Sequence, residues 1–121
     1  MWSENDKPSM TSKAATTALQ SHGFTVSDLK ADPVDARDEA GYKKTDCLES
    51  SRNGDVVDVC LHLFNESRNA THAATNLGTK LWPPGKKRVS FVHGRVLVVL
   101  YGAKSQEQVI DKAFEALKTV L

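Results

Sequence analysis

The sequence predicts an α+β domain, an antiparallel sheet of about five strands with helices packed on one face. Three observations carry that expectation. The dipeptide Asn53-Gly54 lies almost midway between the two cysteines, Cys47 and Cys60, and its flanks read as the strands of a hairpin. Val57, Val59, Leu61 and Leu63 alternate with Asp58, Cys60 and His62, the two-residue period of a strand with one buried face. The chain closes on "SQEQVIDKAFEALKTVL", where Val109, Ile110, Ala113, Phe114, Leu117 and Leu121 recur at helical spacing.

At 121 residues the chain is one domain. Residues 1–9 are polar, contain Pro8 and read as a flexible lead-in; residues 10–121 form the domain. A composition of 40% hydrophobic and 26% charged residues is that of a soluble globular chain. A formal charge of +1, with the charges scattered, offers no field that would steer the protein to nucleic acid or to an anionic membrane. The longest apolar run, Val96 to Tyr101, is far too short for a membrane span. "MWSENDKPSM" has no apolar signal region, which fits a cytosolic chain and equally one whose leader, with or without a lipid anchor, has been removed.

The first helix is expected in "PSMTSKAATTALQSHGF", starting at Pro8, with Met10, Ala14, Ala18 and Leu19 along one side and His22-Gly23 as the left-handed end. "FTVSDL" follows as a strand, and Lys30 to Gly41 is an acidic loop around Pro33. If Asn53 and Gly54 form a type I′ turn, Arg52 faces Asp55, and counting outward sets Cys47 opposite Cys60 on a non-hydrogen-bonded rung. There Cα atoms approach to about 4.5 Å, near the lower end of what a disulfide tolerates. The same register opposes Glu49 to Asp58 and Asp46 to Leu61, both unfavourable to it. "NESRNATHAATNLGTKLW" reads as a second helix with Asn65 as N-cap and a stripe of Ala70, Ala73, Ala74, Leu77 and Leu81. "WPPGKKR" ends it. Strands "RVSFV" and "RVLVVLY" then meet at His93-Gly94, the second apolar on both sides as a central strand should be. Ser105 and Gln108 would cap the final helix.

From about Cys60 onward, "VCLHLF", a small-residue helix, "HGRVLVVL" and "SQEQVIDKAFEAL" resemble the succession found in many small exported or lipid-anchored bacterial proteins of unassigned function. The resemblance covers roughly half of the chain and its motifs are structural. It implies the same fold and leans toward export, and it implies no reaction or cofactor.

Three roles are open to the cysteines: a structural disulfide, two unpaired thiols, or a redox or metal site. Twelve residues separate them, so they form no C-x-x-C element, and the hairpin register favours the disulfide. Such a bridge places the protein outside the cytoplasm, secreted or in the cell envelope. His22 and His93 belong to a helix end and a turn, whereas His62 and His72, with Asp58, are the candidate metal ligands. No nucleophile elbow is present, and "GKKR" is not a phosphate loop. Asp35, Asp38 and Glu39 sit in a polar loop that water solvates, so no enzyme is expected. "LWPPGKKR" offers an aromatic-basic knob of Trp82, Lys86, Lys87 and Arg88; alternatively Trp82 folds onto the core and the cations stay in water. The sequons at Asn65 and Asn69 fall in the capped start of a helix and read as coincidental. The expected function is therefore surface recognition of an envelope protein or ligand by an extracytoplasmic binding domain. It would act through the Trp82–Arg88 loop or the sheet face around Asp58, Cys60 and His62. The alternative is a small ligand- or metal-binding carrier.

Overall fold

The computed structural model describes residues 10–29, 35–78 and 84–120. The elements follow as α1 (Ser12–Ser21), β1 (Thr25–Leu29), β2 (Tyr42–Arg52), β3 (Asp55–Phe64), α2 (Ser67–Gly78), β4 (Lys86–His93), β5 (Val96–Ala103) and α3 (Glu107–Lys118). All strands join one antiparallel sheet in the order β1-β2-β3-β5-β4. The α+β class with a five-stranded antiparallel sheet is thus the observed one. Among the described residues no helix is long and apolar enough to cross a membrane.

The β2–β3 hairpin is the backbone of the sheet. Asn53 and Gly54 both take positive φ, 55° and 86°, as a type I′ turn requires. Arg52 opposes Asp55, Glu49 opposes Asp58, Cys47 opposes Cys60 and Asp46 opposes Leu61, the register that the turn dictates. Near its far end the ladder slips between Tyr42 and Lys44, a bulge that leaves Tyr42 opposite Phe64 with the rings edge-to-face at 6.0 Å. β4 and β5 are joined by Gly94 and Arg95, with His93 paired to Val96, so His93 belongs to the strand and Gly94, at φ 61°, begins the turn.

The pleat divides the apolar side chains between two cores. On one face Val57, Val59, Leu61, Val96, Val98 and Leu100 pack with Leu19 of α1 and Ile110, Ala113, Ala116 and Leu117 of α3. Leu19, Leu100, Ile110 and Leu117 are fully buried, each contributing about 1.5–3 kcal/mol over exposure. On the other face Phe64, Leu97 and Val99 pack with Ala70, Ala73 and Leu77 of α2 and with Ala36. The expected single helical face holds α1 and α3, while α2 crosses to the opposite one. β5 needs both: Val96 to Leu100 is buried without interruption, and a strand apolar on both sides requires cover on both.

Several boundaries differ from the sequence expectation for local reasons. Thr11, not Pro8, starts α1; its hydroxyl accepts the Ala14 amide at 3.1 Å, and the buried residues are Ala15 and Leu19 rather than Ala14 and Ala18. Pro8 lies outside the described residues. The helix ends as expected, with His22 as C-cap and Gly23 at φ 87°. Asn65 does not cap α2, which starts at Ser67; its backbone N–H instead donates to the Gly41 carbonyl at 2.8 Å, tying the loop before β2 to the end of β3. The capping box at Ser105 does not form, because Lys104–Gln106 wind into a 3-10 turn and Gln106 precedes α3 without a side-chain cap bond.

Candidate interaction surface

The two cysteines are bonded, with Cα atoms 4.1 Å apart. Adjacent strands at a non-hydrogen-bonded rung bring the chains this close, so the bridge joins residues that the ladder already pairs. Cys60 is fully buried and Cys47 partly exposed. A bridge of this kind forms and persists in oxidising surroundings.

The bridge lies midway along the sheet face that α2 covers in part. The register sets rows across this face: Thr45, His62, Leu97 and Val92; then Cys47, Cys60, Val99 and Ser90; then Glu49, Asp58, Tyr101 and Arg88. Leu97, Val99 and Val92 belong to the α2 core. Glu49, Asp58 and Tyr101 belong to neither core; Glu49 is exposed, and Asp58 and Tyr101 are half-covered. Val56, two residue pairs further toward the Asn53-Gly54 turn and so on the same face, is 38% exposed and is the large apolar side chain most open to water among the described residues. The bridge therefore marks the boundary between a covered end and an open end of one sheet face.

At the open end, burial raises the Asp58 carboxyl above its ordinary range; the Tyr101 hydroxyl, which donates to it, opposes that shift, and Glu49 across the rung adds to it. Glu49 and Asp58 form the like-charge pair that counted against the register in the sequence. Lys86, also on this face and exposed, partly offsets them.

The cations expected to form one knob are divided by the pleat. β4 begins at Lys86, two residues before the expected start, so these side chains alternate between faces. Lys87 turns toward α3, where it pairs with Glu107 and lies 3.7 Å from Asp111. That hydrogen bond raises the Lys87 pKa and lowers that of Glu107. Arg88 points the other way and donates from Nη1 to the Leu77 carbonyl at 2.6 Å, satisfying the C-terminal end of α2. Trp82 lies outside the described residues.

The covered end corrects another expectation. Cys60 and His62 are fully buried under the second core, so of the three residues expected on an open face only Asp58 remains accessible. His62 Nδ1 bonds the Thr45 hydroxyl at 2.8 Å, which bonds the Tyr42 hydroxyl at 2.7 Å. His72 lies exposed on α2. Among the described residues no three His, Cys, Asp or Glu side chains gather to hold a metal, and His62, His72 and Asp58 are not brought together. A cavity of about 210 Å³ opens at the start of α1, lined by Met10, Ser12, Lys44, Asp46, Leu61 and Arg95 among others, smaller than the usual small-molecule site of about 300–1,000 Å³. No protein-family model, curated protein or solved structure matches the chain.

Proposed function

We propose that the chain is a non-enzymatic, extracytoplasmic interaction domain that recognises a partner protein through the open end of its second sheet face. The observation that carries this reading is the incomplete cover. α2 is packed over Leu97 and Val99, yet the next row of the same face presents Glu49, Asp58 and Tyr101, flanked by Val56 and Lys86, in reach of solvent. A patch with an exposed apolar residue, a hydroxyl-carboxylate pair and both signs of charge is suited to a protein surface. The bridge at its border staples strands that the ladder already pairs, and the oxidising surroundings that a bridge requires support a secreted or envelope location. The resemblance of the second half to small exported bacterial proteins supports the same location.

The test is recovery of partners from envelope extract by wild type, by Val56→Arg/Glu49→Lys, and by Trp82→Ala, each shown to be folded by circular dichroism. Loss of a partner with the Val56 variant assigns recognition to the sheet face, and loss only with the Trp82 variant moves it to the loop. Equal recovery of every partner by all three proteins ends the proposal.

A further inference from the structure

His62 is the one fully buried titratable side chain among the described residues. It stands on the central strand β3, on the face that α2 covers, and it is only half satisfied. Nδ1 bonds Thr45, but Nε2 is buried with no hydrogen-bond partner. Its surroundings come from four sides. β2 contributes the Thr45 and Tyr42 hydroxyls, β5 contributes Leu97, the second core contributes the alanines and Leu77 of α2, and the loop 35–41 contributes buried Ala36 and the carboxylate of Asp35. Among the described residues Asp35 is the one charged group that acts on the ring, and it already holds Arg37 at 2.8 Å in an exposed pair. An imidazolium here would have a second N–H with no acceptor among the described residues, and the Asp35 carboxylate offsets the cost of burying it only in part.

We propose that protonation of His62 releases α2 and the 35–41 loop from the sheet while the sheet, α1 and α3 stay folded, making this layer an acid-sensitive cover. The layer is the weak one of the two. Its buried residues are Ala36, Ala70, Ala73 and Leu77 against three sheet residues, and Thr71, Thr75 and Gly78 lower the propensity of α2 itself. The opposite layer holds two helices over a larger core. Hydrating His62 by opening the sheet would break the β2–β3 ladder that the disulfide secures, whereas lifting α2 and the loop breaks this smaller contact and a few hydrogen bonds, among them Arg88 to Leu77 and Asn65 to Gly41. Lifting it would also extend the open sheet face past the bridge to His62 and Leu97.

Burial holds the His62 pKa down to about 4, with Asp35 opposing weakly, while a hydrated histidine titrates near 6.5. An opened state that hydrates the ring therefore gains population as pH falls, by roughly 20-fold between neutrality and pH 5. Native-state amide exchange in sub-denaturing urea reads this directly, in wild type and in His62→Gln, whose side chain stays neutral. The expected result is that α2 amides, corrected for intrinsic rates, exchange about 20-fold faster at pH 5, with a urea dependence well below that of α3 because less surface is exposed. α3 amides should follow the urea-dependent global transition, and His62→Gln should abolish the acid effect in α2. The proposal is overturned if acid leaves α2 exchange unchanged, if α2 shares the urea slope of α3, or if His62→Gln keeps the acid sensitivity. The urea slopes of the wild type decide the matter even where the variant does not fold.

Discussion

Reducing the Cys47–Cys60 bridge should cost stability without changing the fold, and both halves of that statement follow from the register. The bridge spans a sequence separation of 13. In the chain-entropy account, closing a loop of that length removes freedom from the unfolded chain worth about 3 kcal/mol. In the native state the bridge joins two residues that the ladder already opposes, within pairing that runs from Tyr42 to Arg52, so its loss releases no strand. Reduction is a cleaner perturbation than Cys60→Ala, which would also leave a cavity at a fully buried position. The assay is urea unfolding of the oxidised protein and of the protein in excess dithiol at pH 7. We expect a drop of about 3 kcal/mol in the extrapolated stability, a steeper urea dependence because the reduced unfolded chain is more open, and an unchanged amide spectrum before the transition. A drop below about 1 kcal/mol would show that the Asn53-Gly54 turn already holds the cysteines together in the unfolded ensemble, and the entropic reasoning would fail. Loss of the native spectrum on reduction would contradict the register argument.

Acid should weaken the fold through His62. Its native pKa, near 4, lies below the unfolded value near 6.5, so the unfolded chain takes the proton first as pH falls. The contribution is complete above about pH 6.5 and gone below about 4, a loss of roughly 3 kcal/mol that His62→Gln should remove when unfolding is followed across that window. Asp58 carries the opposite sign. Its raised carboxyl disfavours the charged native form, so Asp58→Asn should raise the melting temperature at pH 7, and the gain should vanish at pH 3, where the unfolded carboxyl is also protonated. Gly54→Ala should cost about 1–2 kcal/mol from its φ of 86° alone, since an added Cβ meets nothing within 4 Å. At Gly41, φ 79°, the Cβ would lie 2.5 Å from Asn69 Cγ, so Gly41→Ala should cost more by chemical denaturation, and Asn69→Ala should recover the excess.

What was legible in the sequence was what local chemistry specifies. Asn53-Gly54 dictates a turn type, the turn dictates a register, and the register sets Cys47 against Cys60. The period of the closing helix likewise needs no tertiary information, and Ile110, Ala113 and Leu117 are buried as expected. The missing parts depend on what packs where. Asp58, Cys60 and His62 alternate with valines and leucines and so read as the wet side of β3, yet α2 crosses to that side and buries two of the three. The available signal was β5, apolar on both sides, which demands a second cover. Lys87 and Arg88 read as loop cations because their partners, Glu107 of α3 and the Leu77 carbonyl of α2, are distant in sequence. For the same reason β4 starts at Lys86, two residues before "RVSFV".

The central claim is a bridged hairpin that presents a recognition face in an oxidising compartment. Its most direct test is the intact mass of the protein isolated from its native host, alkylated with and without prior reduction. The account predicts that neither cysteine takes the alkylating agent until reductant is added, and that both then do. Free alkylation of Cys47 and Cys60 in unreduced native material would contradict it, removing the bridge and with it the argument for an extracytoplasmic interaction domain.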